Sequence, residues 1–256
     1  MKDDFGDRMK GYEATTRFKL PRRSYTIIRI DGKAFHSYTR GMQRPFDMGF
    51  IEDMDNTAIH LCKNIMGAKF AFVQSDEISI VLTDFETIQT QAWFDNNIQK
   101  MCSISASMAT SEFNNLRLQR RVIETSMAAL TLDNIKSQKL ANFDSRVYQI
   151  PQLTEVFNYF VWRQQDTTRN SIQSVARSVF SHKQVDGKNT NQMQEMLFEE
   201  KGINWNDFEP KLKRGRGIVK NTIIKNDVER KVWESVEVPI FTQNREFLSK
   251  IIPLNQ

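Results

Sequence analysis

Cysteine is scarce in this chain: Cys62 and Cys102 are its only two, and neither stands in a CxxC or other metal-ligand spacing. That excludes a disulfide framework and a thiolate metal site, and leaves two reduced thiols beside apolar helical positions. Histidine is equally sparse, with three scattered residues, so no zinc signature and no Ser-His-Asp arrangement can be assembled from the sequence. No apolar run approaches the roughly 20 residues that a membrane-spanning helix needs. The opening "MKDDFGDRMK" lacks the apolar segment of a secretory signal, so a cytoplasmic protein without a membrane partner is expected. G-x-x-x-x-G-K-[ST] is missing, which argues against a P-loop nucleotidase. There is also no internal repeat, low-complexity tract or Gly/Ser linker.

What is present is a composition able to build a core: 39% hydrophobic and 26% charged residues, with a net charge of +5. The basic residues cluster in "PRR" (21–23), "RLQRR" (117–121) and "KLKRGRGIVK" (211–220). One such run is usually a solvated face, but three in a chain of this size favour a polyanionic partner.

"SYTIIRID" (24–31) is a β-branched strand ending at an acidic residue, and "DG" turns it sharply. Ile51, Met54, Ala58, Leu61 and Ile65 then step by three and four, predicting an amphipathic helix stopped by Gly67. "KFAFVQ" and "EISIVL" predict a hairpin with "SDE" at the junction. Phe94, Ile98, Met101, Ser105 and Met108 predict a second helix, and "RVYQI" (146–150) a fourth strand. Strand–helix–strand–strand–helix–strand is the split βαβ of ferredoxin-like folds, an α+β class. Beyond Leu153 the pattern is mainly helical, through the separate stretches "LTEVFNYFVWRQQ", "SIQSVARSVF" and "NQMQEMLFEEKG", ending in a hairpin arm made of "GIVKNTIIK" and "KVWESVEV". The expected organisation is a split-βαβ region over 1–150, with a helical extension and basic arm over 151–256 packed on it as one unit.

Two acidic side chains, Asp76 and Glu77, interrupt the otherwise apolar "FAFVQSDEISIVL". In the split βαβ the first strand neighbours the central hairpin, so Asp31 and Asp76 are expected side by side. Either alone is an ordinary turn residue. Together in an apolar sheet they raise each other's pKa unless a cation compensates. A hard dication such as Mg²⁺ is the usual remedy, and a pair of them serves phosphoryl or nucleotidyl transfer. "DGKAFHSY" (31–38) leaves its strand through a tight turn whose backbone N–H groups can form an anion nest, and Arg44 adds a cation.

At these residues the sequence resembles the tRNA-His guanylyltransferase family, and more closely its bacterial and archaeal guanylyltransferase-like branch, the 3′-to-5′ RNA polymerases. The matching stretches are "RIDGKAFHSYT", "RPFD", "QSDEISIVL", "FDSRVYQIP", "VFNYFVWRQQD" and "MLFEEKGINWN", in family order. The resemblance implies a polymerase-type palm in which Asp31 and Asp76 bind two Mg²⁺, with the Gly32 carbonyl as a further ligand. It implies that Gly32, Lys33, Ala34 and Phe35, with Arg44 and Ser75, hold an incoming triphosphate, and that Glu77 supports the metal aspartate. Lys100 matches a basic position associated with the activating nucleotide, whereas the basic residues preceding it in many relatives are here Asn96 and Asn97. Eukaryotic relatives carry "HINN" after the "WRQ-D" element; here the place reads "TRNS", Thr168 to Ser171, keeping Asn170 as a nucleotide-binding position but no histidine.

The expected function is template-dependent addition of nucleotides to the 5′ end of truncated tRNA after ATP activates the 5′ phosphate, with ATP, GTP or other NTPs as substrates. Lys213, Arg214 and Arg216 are expected to hold the RNA, and the family suggests a homo-oligomer, a tetramer. Guanosine addition to tRNA-His is the alternative. More remote ones are a palm-type nucleotide cyclase and a non-catalytic RNA-binding module, against which the retained Asp31, Gly32, Asp76 and Glu77 argue.

Overall fold

A computed structural model describes residues 4–124, 139–225 and 228–255. Its elements in chain order are α1 (Asp4–Ala14), β1 (Tyr25–Gly32), α2 (Phe35–Tyr38), α3 (Met48–Asn64), β2 (Ala68–Gln74), β3 (Glu77–Leu82) and α4 (Ile98–Glu124). They continue with β4 (Phe143–Ile150), α5 (Leu153–Val179), α6 (His182–Val185), α7 (Thr190–Lys201), α8 (Pro210–Arg214), β5 (Arg216–Lys225), β6 (Val228–Glu237) and α9 (Glu246–Ser249).

The strands form one antiparallel sheet in the order β4-β1-β3-β2-β5-β6. Its first four strands with α3 and α4 are the expected split βαβ, and β5 and β6 extend the same sheet past β2. That attachment is narrow: only Arg216, Gly217 and Ile218 pair with β2, after which β5 and β6 pair with each other alone, as a projecting arm. Residues 226–227, between β5 and β6, lie outside the described residues.

The central strands are apolar on both faces because both are covered. Ile28, Ile30, Ala71, Val73, Ile78 and Ile80 pack under α3 and α4 with Met54, Leu61, Met101 and Phe113. On the other face Tyr25, Ile27, Phe70, Phe72 and Val81 pack against Val156, Tyr159 and Phe160 of α5 and against Phe241 and Leu248. The end of α5 builds a smaller third core with α7 and Trp205. α5 is one continuous helix of 27 residues, not the two shorter helices that the pattern suggests. The second palm helix starts at Ile98 rather than Phe94, because Phe94, Asp95 and Asn96 take left-handed backbone angles and form a separate tight turn.

Gly215 joins α8 to β5 at φ +80°, and a Cβ there would lie 2.5 Å from the Phe72 ring and 2.9 Å from the Val73 carbonyl oxygen. Neither the backbone angle nor the space admits a side chain. Gly215→Ala should therefore destabilise the fold by about 2–4 kcal/mol in urea titration, whereas a midpoint within error of the parent would refute this packing.

Candidate active site

Alternation along the strands explains how carboxylates come to sit in this sheet. On the face beneath α5, the apolar positions Tyr25, Ile27, Phe70, Phe72 and Val81 give way along the same strands to Arg29, Asp31, Gln74, Glu77 and Ser79. One end of this face is core, and the other is a polar cluster.

Glu77 is the buried centre of that cluster. Its carboxylate accepts two bonds from Arg163 on α5, at 2.8 and 2.7 Å, and pairs with Arg29 Nη2 at 2.6 Å. Ser79 donates to Glu77 Oε1 at 3.2 Å and shares a 2.7 Å hydrogen bond with the Tyr159 hydroxyl. Thr167 of α5 also donates to Gln74. Two guanidinium groups on a buried carboxylate offset its desolvation. Glu77 is thus an anchor between sheet and helix.

Asp31 and Asp76 are compensated far more weakly. Ser75 and Asp76 form the turn between β2 and β3, with Ser75 at φ +44°. The Gly32 N–H donates to the Asp76 carbonyl at 3.1 Å, and Asp31 lies opposite Glu77, so the end of β1 abuts this turn. Burial pushes the Asp76 carboxyl up to about 6, with the Asp31 charge adding to the rise and bonds from its own N–H and from Ser75 opposing it. Asp31 is raised as well, chiefly by burial, against the pull of Arg29. The cations nearest Asp31 are Arg29 at 3.7 Å and Arg146 at 3.9 Å, both long for ion pairs.

The donor set suits a hard cation. The two neighbouring carboxylates offer only oxygen and carry charge that the protein compensates weakly, and the Gly32 carbonyl is expected to add to them. Among the described residues no cluster of three or more His, Cys, Asp or Glu could hold a metal. A cation here would take its remaining ligands from water and substrate phosphates, as Mg²⁺ commonly does.

Gly32 admits no side chain, since a Cβ would meet the Phe35 ring at 2.2 Å. Phe35 in turn packs among Phe50, Phe113 and Phe143. The anion nest is narrower than expected: the Gly32 N–H is bonded to Asp76 and the Lys33 N–H to Asn142 O at 2.8 Å. Ala34, at φ 54°, and Phe35 are left as its amide donors. Beside the turn opens a cleft of about 450 Å³, lined by Arg44, Gln74, Ser75, Asn170, Arg177 and Lys211 among others. Asp47 also lines it, but its carboxylate is occupied by the N–H groups of Phe50 and Gln43. A cleft of this size and charge suits a nucleotide-sized anion. Arg177 is a contributor that sequence reasoning missed, because a lone arginine in a helical pattern gives no signal.

Several expected residues lie elsewhere. Lys213 and Arg216, two of the residues expected to hold RNA, are buried at 6% and 5% exposure. Lys213 bonds the Asn206 carbonyl at 2.5 Å and lies over the Trp205 ring, while Arg216 pairs with Asp55 at 2.7 Å. Arg214 alone of the three is partly exposed. Lys100 is exposed on the first turn of α4, whose start is tied to Leu20 and Pro21 at the opposite end of the sheet from Asp31. Within one chain it lies apart from the carboxylates. Asn96 and Asn97 are buried, with Asn96 bonding the Pro21 carbonyl and Asn97 capping α4 through the Lys100 N–H.

Comparison with known proteins follows the same outline. The family profile described as tRNAHis guanylyltransferase matches residues 6–151. An uncharacterised protein of Acanthamoeba polyphaga mimivirus is 31% identical over 235 residues, 88% of this chain and 80% of that protein. The tRNA(His) guanylyltransferase of Saccharomyces cerevisiae is 29% identical over 204 residues, 75% of this chain and 80% of the yeast protein. Among solved structures, a bacterial tRNA(His) guanylyltransferase-like protein in complex with ATP matches with a TM-score of 0.84 and 44% identity, covering 98% of this chain and all (100%) of that one. A like protein in complex with GTP matches with a TM-score of 0.81 and 42% identity, at the same coverage (98% and 100%).

The contrast between adjacent carboxylates can be tested by stability. Glu77→Ala leaves the partly buried Arg29 without its close partner and the buried Arg163 with Asp166 alone, and should cost about 3 kcal/mol. Asp76→Asn should do the reverse above pH 6. The unfolded carboxyl ionises near its ordinary value, the folded one near 6, so wild-type stability falls as pH rises between them. The Asn variant should gain about 1–2 kcal/mol at pH 8, discounted for partial exposure, and nothing near pH 4. Urea midpoints at the two pH values read this directly, and a loss of stability at pH 8 would overturn it.

Proposed function

The chain belongs to the tRNAHis guanylyltransferase family, and from that premise we propose that it repairs truncated tRNA by template-directed addition to the 5′ end. Membership makes it a nucleotidyltransferase. The observation that carries the reading is the pair of weakly compensated carboxylates, Asp31 and Asp76, beside a basic cleft of nucleotide size.

In the proposed reaction an oxygen of the tRNA 5′ phosphate attacks the α-phosphorus of ATP, releasing pyrophosphate and leaving an adenylylated end. The 3′-hydroxyl of an incoming NTP then attacks the tRNA 5′ phosphorus, AMP leaves as the new P–O bond forms and the hydroxyl proton is lost, and the chain grows by one nucleotide at its 5′ end. Asp31 and Asp76, with the Gly32 carbonyl, would hold two Mg²⁺, which when bound would acidify the attacking hydroxyl and neutralise the leaving charge. The protein's own part is to position groups. Arg44, Arg177 and Lys211 attract the triphosphate, Ala34 and Phe35 offer amide donors, and Ser75 and Asn170 line the cleft. Glu77 and Arg163 keep the turn carrying Asp76 fixed against α5.

Preference for repair over guanosine addition rests on the segment 168–171. Thr168 spends its hydroxyl on the Gln164 carbonyl at 3.1 Å, and Arg169 is paired with Asp166 at 2.6 Å. Neither supplies the titratable imidazole that "HINN" relatives carry at this place. The RNA grip falls to exposed cations, Arg214 beside the cleft and Lys220, Arg230 and Lys231 on the projecting arm. A homo-oligomer belongs to the same reading. It is supported by α1, which buries none of its residues and leaves Phe5, Met9 and Tyr12 exposed. No described helix is long and apolar enough to cross a membrane, in keeping with the proposed cytoplasmic site of action.

The decisive assay offers two RNAs under one condition: a histidine tRNA lacking its extra guanosine, and another tRNA lacking its first nucleotide. Catalytic efficiency should be higher on the second, the added base should follow the template, and Asp31→Asn or Asp76→Asn should abolish addition while tRNA still binds. Guanosine addition confined to histidine tRNA would refute the repair reading. A separate measurement addresses the arm. Replacing Lys220, Arg230 and Lys231 by Ala should flatten the salt dependence of tRNA binding by about one unit of slope per lost phosphate contact. An unchanged slope would leave the arm a solvated surface.

A further inference from the structure

A reaction joining a nucleotide to an RNA end needs two places meeting at the same carboxylates, and the cleft beside Ser75 is large enough for one. The other side of the polar cluster, towards β4, is built differently. Trp162 stands there at 48% exposure, an unusual position for an indole inside a long helix. It lies against the Arg163 guanidinium, 4.3 Å from ring centroid to Cζ, and Arg163 is locked on Glu77 by two hydrogen bonds. Its edge meets Tyr159 at 5.9 Å, and Tyr159 meets Tyr148 of β4 at 6.1 Å. The ring is therefore held in place while nearly half of the residue stays in water.

Between this ring and Asp31 runs a cationic strip. Arg146 is paired in register with Arg29, so both project from the face that α5 covers, as does Tyr148. Arg146 keeps a half-exposed side chain, with Asp144 at 3.4 Å and Asp31 at 3.9 Å as its long-range partners. Arg29 Nε is buried without a hydrogen-bond partner. An open aromatic face followed by guanidinium groups and then by the candidate metal carboxylates repeats the order base, phosphate, reacting centre. We infer that Trp162 is the stacking platform for the 5′-terminal base of the RNA, with the half-exposed Arg146 receiving that nucleotide's phosphate. This rests on the repair reading and adds where the acceptor end lies.

Stacking on an aromatic ring is tolerant of base identity. A repair enzyme meeting different 5′ ends needs that tolerance, and pairing with the template supplies the discrimination. Trp162 accordingly acts on binding of the RNA end and not on selection of the incoming nucleotide.

The test uses the full chain and a tRNA lacking its first nucleotide, with 2-aminopurine as its new 5′-terminal base. Stacking on Trp162 should quench the probe's fluorescence in wild type and in Trp162→Phe, and the quenching should disappear in Trp162→Leu. In turnover, Trp162→Leu should raise the KM for this RNA about tenfold or more, with the KM for NTP and kcat near wild type, and Trp162→Phe should restore most of the loss. Because Trp162 is half-exposed and Phe keeps a ring, circular dichroism should show both variants folded. Quenching that persists in Trp162→Leu, or a rise in KM for NTP instead of RNA, overturns the platform. The fluorescence arm needs no turnover, so a wild-type protein that quenches the probe but extends no tRNA refutes the repair reading and leaves the platform standing.

Discussion

Glu77, buried between Arg29 and Arg163, is the interaction on which the rest of this site depends. It sits where β3 leaves the turn, and Arg163 comes from the middle of α5, so one carboxylate ties the sheet to the helix that covers it. A buried ion pair contributes little net stability compared with apolar packing, but removing one partner is costly. That asymmetry makes the pair a specific latch. It fixes how α5 lies over the sheet, and with it the positions of Trp162 and Thr167 on the two sides of Arg163.

The same latch explains why the neighbouring carboxylates are free for other work. Both arginines nearest the cluster are directed mainly at Glu77, and Asp31 and Asp76 keep only distant or neutral partners. Their raised pKa values show an unfavourable concentration of charge that folding alone does not relieve. The basic cleft beside them has the opposite imbalance. In the proposed function, phosphates entering the cleft, and cations entering between phosphates and carboxylates, would relieve both at once.

Much of the palm was legible because strand alternation and turn residues are local signals. "SYTIIRID" and "FAFVQSDEISIVL" revealed the strands, the turn and the paired aspartates. What was hidden depended on distance. Glu77's partners, Arg29 and Arg163, lie far from it in sequence, so its role as a latch could not be read from its neighbours. α5 read as two helices because its buried stripe includes Arg163, Gln164 and Thr167, which break the apolar period. α1 gave no pattern at all, since nothing on it is buried. "KLKRGRGIVK" looked uniformly solvated, yet burial holds the Lys213 ammonium below its usual pKa and Arg216 is consumed by Asp55. Charge runs report composition, while burial is decided by what packs above them.

The central claim is a division of labour among three clustered carboxylates: Glu77 latches the fold, while Asp31 and Asp76 are proposed to hold the cation. The most direct measurement is electron paramagnetic resonance of Mn²⁺ titrated into the protein with a non-hydrolysable NTP, at a temperature where every variant is folded. Bound Mn²⁺ should be lost in Asp31→Asn and in Asp76→Asn and should persist in the folded fraction of Glu77→Gln. Retention of the bound signal in both aspartate variants, or its loss in folded Glu77→Gln alone, would contradict the account.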